Sequence, residues 1–419
     1  MSRAARVAAP RKTIFDPVHG TVVLDEAALA LVNTPEFQRL WGIRQTGFAH
    51  LVFPGANHTR LEHSLGTYWV AGQMAETLGL DANAAALLRT AALLHDLGHG
   101  PFSHTFDASM EEALGHGHER LSRARILGIG PAPSGEIPRL LERHGLRPRE
   151  VADLVDPAGA KARPRWWGGL LHGAVDADRI DYLQRDAHYT GVAHGAIDAV
   201  RLLQTLRRAG PRVVFAEKGR GAVEGFLVGR ALMYQTVYYH KTVRSAEAMA
   251  QAALERSPGF PETARATFGW TDAEWLVRLP AAGGRTTALV EGILARRLYK
   301  RVFGWPKPAR GELRRWQRLL DDPPRRRALE DDLAARLGAP PGTVLLDLAS
   351  LAPRGDPARE WGEIALYADG RTTFPFREPS LWLLLATRAP ADSAITVFAD
   401  PRYGEAAGRL LARDPSVLP

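Results

Sequence analysis

The densest run of metal-capable side chains in the chain is Leu94-His95-Asp96-Leu97-Gly98-His99-Gly100-Pro101-Phe102-Ser103-His104, with His63 upstream and Asp176-Ala177-Asp178 far downstream. Taken singly, each of these histidines would be read as a core or surface residue. Together they read as an ion site. Two imidazoles, His63 and His95, and two carboxylates, Asp96 and Asp178, form a borderline-hard set. Such a set suits Mn, Fe, Co, Ni or Zn better than calcium and leaves positions open for water and a phosphoryl oxygen. The chain has no cysteine, which excludes thiolate ligands, thiol nucleophiles and disulfides. Any metal must be held by His, Asp or Glu.

Such a set has to be delivered by packed helices. Successive residues on a helix point about 100° apart, so His95 and Asp96 can flank one ion lodged between helices. From Asp81, a plausible N-cap, the Ala- and Leu-rich run 82–97 reads as a helix stopped by Gly98, which places His95 and Asp96 in its last turn. The stretch 61–78, closed by Gly79, reads as a second helix with His63 near its start. A third, 168–186, carries Asp178. Arg139 to Trp167, with many Arg, Pro and Gly, reads as a surface excursion or short helical insert. Beyond about residue 255 the pattern is mixed: helices around 271–301 and 324–337, and strand-like runs at 344–348, 363–367 and 395–398. The predicted fold is mainly α, with a helical core over 1–255 and a smaller C-terminal α+β lobe over 256–419. No repeat of fixed period stands out.

Composition bounds the function. At 419 residues the chain is long enough for a core with an attached lobe. With 45% hydrophobic and 24% charged residues it reads as globular, so a sizeable buried core is expected. No run reaches the roughly 18 apolar residues of a membrane helix, and 1–15 lacks the apolar stretch of a secretory signal. The sequence therefore predicts a cytoplasmic protein without a membrane partner. The net charge of +8 favours an anionic partner. That inference is discounted, because only Lys12, Lys161, Lys218, Lys241, Lys300 and Lys307 are lysine and all other basic residues are arginine, as coding bias would produce.

His63, His95-Asp96 and Asp178 resemble the H…HD…D signature of the HD phosphohydrolase superfamily. The surroundings narrow this. Asp16-Pro17-Val18-His19-Gly20, Thr34-Pro35-Glu36-Phe37-Gln38-Arg39-Leu40, Phe53-Pro54-Gly55-Ala56, Arg60-Leu61-Glu62-His63-Ser64-Leu65-Gly66 and His95 to His104 occur in the order seen in the deoxynucleoside triphosphate triphosphohydrolase branch. The likeness is strong over about 12–245 and weaker beyond, and no SAM domain is recognised.

The resemblance implies that His63, His95, Asp96 and Asp178 hold the catalytic metal, with Asp176 in support and Mg on the substrate's triphosphate. His99, His104 and the pair His118-Glu119 match active-site histidines and acid. Expelling a sugar 5′-oxygen from the α-phosphorus calls for a proton donor near neutral pKa, and His118 is the candidate. Products would be deoxynucleoside and tripolyphosphate. Arg60, Arg179, Arg230 and Lys241 match triphosphate contacts, as guanidinium chemistry favours. Tyr182 and Asp186 match contacts to the 3′-hydroxyl, Gln45 a base and sugar contact, and Tyr238 an aromatic packed under the sugar. Arg179 and Thr46 depart from the mammalian member, which has lysine and leucine there. Asn33 and Trp41 stand where that member reads guanine with Asp and Arg. Lys12, Gln38, Arg296 and Lys300 match other regulatory positions, leaving room for a different nucleotide activator bound between subunits of a homo-oligomer, dimer to hexamer.

Two other readings stay open. One keeps the metal and changes the substrate, to a nucleotidase or a cyclic-dinucleotide phosphodiesterase, although the HD-GYP motif of the latter is absent. The other is a nucleic-acid-binding nuclease. It is not favoured, because the arginines are not interleaved with an ordered set of stacking aromatics.

Overall fold

The computed structural model describes residues 12–130, 135–160, 165–305, 315–316, 318–319, 322–348, 361–376, 395–414 and 417–418. The fold is mainly α, a helical core followed by a smaller α+β region. At the centre, helix Arg60–Thr77 packs along helix Ala82–Leu94 and against helix Ala177–Thr190. Each start is encoded locally. Thr59 and Glu62 form a reciprocal capping box at the first, and Asp81 and Asp176 cap the other two through their carboxylates. Each such cap stabilises its helix by about 1 kcal/mol. Leu87, Leu88, Ala91, Leu93 and Leu94 are no more than 1% exposed, and each buried leucine contributes about 1.5–3 kcal/mol.

Gly66 sets how closely the first and third helices approach. A Cβ there would stand 1.8 Å from Asp181 Oδ1 and 2.4 Å from Arg185 Nη2. Any side chain would therefore push the helix carrying His63 away from the one carrying Asp178.

Several elements differ from the sequence reading. The helix from Ala82 ends at Leu94, so His95 and Asp96 lie in the turn beyond it rather than in its last turn. The hydroxyl of Ser122 causes this by donating to the His95 carbonyl (2.6 Å) and accepting from Gly98 N–H (2.7 Å). Gly98 accordingly serves close packing: a Cβ would meet the His118 carbonyl oxygen at 2.2 Å. The stretch 139–167 is the short helical insert of the two readings, not the surface excursion. Apart from 161–164, which lie outside the described residues, helices Glu136–Arg143 and Pro148–Val155 bury Leu141, Val151 and Val155 against the core, as does Trp167. The predicted helix 168–186 is broken between Gly169–His172 and Ala177–Thr190. The region 271–301 divides into helices Asp272–Arg278 and Gly284–Leu294 and then turns to strand at Lys300.

Strands Lys12–Asp16 and Gly20–Leu24, which the helical reading of the first 250 residues overlooked, form an antiparallel hairpin. Asp16 Oδ1 accepts from the backbone of Val18 and His19 (2.9 and 2.8 Å) to hold its turn. In the C-terminal region Ile395–Ala399 is the middle strand between Lys300–Trp305 and Val344–Leu348, all antiparallel. The expected strand at 363–367 starts later, at Leu366–Ala368, and pairs in parallel with Arg212–Ala216 of the core. Largely buried ion pairs tie the end of helix Lys241–Glu255 to helix Pro323–Arg336. Arg326 reaches Glu255 (2.5 Å) and Glu330 (3.2 Å), and Arg256 reaches Glu330 and Asp331.

Candidate metal centre and active site

The first and third helices and the turn after the second bring His63, Asp178 and His95 together, with one ligand atom of each within 4.8 Å of the others. His63 Nδ1 lies 2.6 Å from Asp181 Oδ2. An ionised carboxylate only accepts, so His63 donates from Nδ1 and turns Nε2 inward. His95 does the same: its Nδ1 sits 2.8 Å from the Ala92 carbonyl. Both Nε2 atoms are buried without a hydrogen bond, although Asp178 Oδ1 is 3.0 Å from the first and 3.8 Å from the second. Two buried nitrogens aimed with a carboxylate into one space fit a metal ion.

The electrostatics agree. Burial disfavours a charged His63, yet Asp178, Asp181 and Asp96 push its pKa up to about 10. The pocket therefore demands a positive charge, supplied by a proton or by an ion in its place. Asp96 lies on the edge of the same space. Its Oδ1 is 3.2 Å from His95 Nε2 and its Oδ2 3.6 Å from His63 Nε2, while Arg60 Nη1 donates to Oδ2 at 2.5 Å. Burial works against the Asp96 charge, but Arg60, His95 and His99 hold its carboxyl well below the usual range. Burial similarly opposes ionisation of Asp178, and the adjacent His63 and His95 imidazoles override it.

A second cluster adjoins the first. His99 stacks on His118 with ring centres 4.0 Å apart, and His104 stands edge-on to both, at 4.9 and 5.3 Å. Asp107 reaches His104 Nδ1 at 3.0 Å and His118 Nδ1 at 3.4 Å. Burial lowers the His118 pKa, but the Asp107 carboxylate outweighs it and the net shift is upward. His99 moves the other way, well below the usual imidazole range, through burial and the nearby charges of Arg60 and His118. The loop carrying these histidines is pinned. Arg39 Nη2 donates to the carbonyls of Leu97 (3.1 Å) and His99 (2.6 Å), and Asp272 accepts from the Phe102 backbone at 2.7 Å.

The remaining candidates divide by position. Asp176 is fully buried and ion-paired with Arg179; burial, only partly offset by Arg179, pushes its carboxyl up to about 7. Tyr182 lies within electrostatic range of Arg230, Arg179 and Asp178. Gln45 presents a buried Oε1 without a hydrogen bond. Tyr238 donates to Asp186 Oδ2, and His58 Nε2 lies 2.7 Å from Asp186 Oδ1. Asp186 thus engages both its oxygens within the protein, and the Tyr238 ring stands edge-on to Tyr182 at 6.3 Å. Glu119 is exposed at the start of helix His118–Ile126, and Lys241 is exposed at the start of helix Lys241–Glu255. Lys12, Asn33, Gln38, Trp41, Arg296 and Lys300 are all exposed and none belongs to either cluster.

Sequence reasoning missed the bracing residues. Asp181, fully buried, also accepts from Arg185 at 2.9 and 3.0 Å and lies 2.6 Å from His19 Nε2, while Arg185 donates to Asp16 at 2.8 Å. The spacing offered a signal: Asp181 follows Asp178 by three residues and precedes Arg185 by four, one face of one helix. Asp107, three residues after His104, carried the same kind of signal.

Among known families, the HD domain matches residues 60–186 and the HD associated region residues 197–360. An uncharacterized protein of Methanocaldococcus jannaschii is 39% identical over 249 residues, 58% of this chain and 49% of that one. An uncharacterized protein of Bacillus subtilis is 38% identical over 252 residues, 59% of this chain and 56% of that one. The deoxynucleoside triphosphate triphosphohydrolase SAMHD1 of Homo sapiens is 34% identical over 209 residues, 42% of this chain and 33% of that one. The chain spans about half the length of the first two relatives and a third of the last. In three dimensions, a hypothetical protein from Aquifex aeolicus superposes with TM-score 0.68 at 27% identity, covering 96% of this chain and all of that one. A phosphohydrolase from Bacteroides thetaiotaomicron shares the fold, with TM-score 0.71 at 24% identity over 93% of this chain and all of that one.

Proposed function

Since this chain is an HD-domain protein, with an HD-associated region following the HD domain, we propose that it is a cytoplasmic, metal-dependent deoxynucleoside triphosphate triphosphohydrolase. The observation that carries the reading is the pair of Nε2 atoms of His63 and His95, buried without a hydrogen bond and facing Asp178, beside a histidine whose pKa Asp107 raises. His63, His95, Asp96 and Asp178 would hold an ion of the Mn, Fe, Co, Ni or Zn type. With Mg on the triphosphate, that ion would supply Lewis acidity and a more acidic water.

The chain's own residues do the rest. Arg60, Arg179, Arg230 and Lys241 offset the triphosphate charge, with Asp176 holding Arg179 in place. Gln45, Tyr182 and Tyr238 receive the sugar and base, Tyr238 being set by Asp186. Water attacks the α-phosphorus, the bond from phosphorus to the 5′-oxygen breaks, and His118 passes its proton to that oxygen. His99 and His104 line the same proton-handling space, and Glu119 adds its charge to that of Asp107 in favour of the His118 proton. The products are deoxynucleoside and tripolyphosphate. The exposed residues Lys12, Asn33, Gln38, Trp41, Arg296 and Lys300 would contribute to a nucleotide activator site completed by another copy in a homo-oligomer.

The test incubates metal-stripped, Mn-reloaded protein with each dNTP and rNTP, alone and mixed, and resolves products by ion exchange. Tripolyphosphate from dNTPs supports the reading, and turnover only in mixtures supports the activator. Monophosphate with pyrophosphate moves the assignment to another phosphohydrolase.

A further inference from the structure

We propose that His99, His104, Asp107 and His118 form a second metal-ion site, separate from the HD ion, which takes zinc or a similarly nitrogen-preferring ion and switches hydrolysis off by occupying His118. The switching rests on the reading of His118 as proton donor; the site itself does not.

The four residues come from three separate stretches of backbone: the turn after helix Ala82–Leu94, the single turn Ser103–Phe106 running into helix Asp107–Leu114, and the first residue of helix His118–Ile126. One ligand atom from each lies within 4.8 Å of the others. A set of four such groups is what closed zinc sites use.

The second, independent observation is His99. It is 1% exposed, its Nδ1 makes no hydrogen bond, and its Nε2 has only Asp96 Oδ1, at 3.3 Å and outside hydrogen-bond geometry; His118 Nδ1 is likewise buried and faces only Asp107 Oδ1, at 3.4 Å. Buried imidazole nitrogens without partners are costly unless something fills the space they face. The opposite side of the cluster is open, the His104 side chain being 64% exposed and that of Asp107 28%. An ion can therefore arrive from solvent without passing the HD site.

The two clusters differ in hardness. Two imidazoles with two carboxylates accept manganese as readily as zinc. Three imidazoles with one carboxylate favour Zn, Ni or Cu over Mn and Mg, which prefer oxygen. Manganese should fill only the HD site, and zinc both. With an ion in place of the proton on Nδ1, His118 is a neutral imidazole whose remaining N–H is too weakly acidic to protonate the leaving oxygen.

The test counts ions on the full chain, stripped with chelator, reloaded and desalted before elemental analysis. The expected result is one Mn per chain with manganese and two Zn with zinc. His104→Ala, at an exposed position, should bind one Zn, and His95→Ala should keep the other one. Cobalt gives a readout free of activity: its second equivalent should add the visible absorption of four-coordinate Co²⁺, absent in His104→Ala. One Zn per wild-type chain, or a second Zn retained by the His104→Ala/Asp107→Asn double variant, overturns the site. In the Mn-loaded protein, hydrolysis should fall in step with the binding of one added Zn per chain. An unchanged rate with one Mn and one Zn bound overturns the switch. A Mn-loaded protein that hydrolyses no dNTP defeats the functional reading instead, while the zinc count still decides the site.

Discussion

The two histidine clusters are neighbours built in opposite ways. At His63 and His95 every ring is braced from behind, by Asp181 and by the Ala92 carbonyl, and Asp181 is itself gripped by Arg185 and His19. Around His118 the bracing is a single carboxylate, Asp107, and His104 stands mostly in solvent. Rigid bracing fixes where a lone pair points, which an ion needs. A ring held on one side and open on the other can gain and lose a proton. The contrast separates holding charge from moving it.

The sharpest way to break that division is to remove a ligand from the braced cluster. His95→Ala or Asp178→Ala should reduce hydrolysis to background and release the HD ion, measured as Mn per chain beside the dNTP turnover rate. A variant that loses the ion but keeps the rate would dissolve the distinction. His118→Ala should lower kcat by about 10²–10⁴-fold, the usual worth of a positioned general acid, while one Mn per chain remains bound. Loss of the ion in that variant would make the two clusters one site.

Smaller changes sharpen the comparison. Asp181→Asn touches no ion, yet should weaken Mn binding about 10–100-fold, with hydrolysis restored by raising Mn concentration. Unchanged affinity would mean His63 is oriented by packing alone. Asp107→Asn should have the smallest effect and reads out as a pH profile. Asp107 raises the His118 pKa, so the wild-type rate is full below that pKa and falls as pH rises through it. Removing the carboxylate lowers the pKa and should shift the falling limb to lower pH. A limb that stays in place would mean Asp107 does not govern the proton.

Much of the braced cluster was legible because ligand type and spacing are local properties. His63 near a helix start, the His95-Asp96 pair and the Asp176-Ala177-Asp178 run are read from neighbours in sequence. What holds them was harder to see. The Ser122 hydroxyl that ends the helix at Leu94 comes from 27 residues beyond His95. Asp16 and His19 reach Arg185 and Asp181 from a hairpin more than 160 residues away. The mainly helical fold was legible, as were the strand-like runs 344–348 and 395–398, the second ending one residue later in the structure. The hairpin 12–24 was not: its short strands leave Phe15 84% exposed, so the inside-outside alternation that marks a strand is weak there. The strand at 366–368 starts later than the apolar run suggested, because its partner is Arg212–Ala216, about 150 residues earlier.

The central claim, that water attacks the α-phosphorus of a deoxynucleoside triphosphate at the HD site, is tested most directly in ¹⁸O-water. Mn-loaded protein is given each dNTP, and the products are weighed by mass spectrometry. The account predicts one ¹⁸O per tripolyphosphate, none in the deoxynucleoside, and no labelled product from His95→Ala. Label in monophosphate or pyrophosphate, or in the deoxynucleoside, would contradict it.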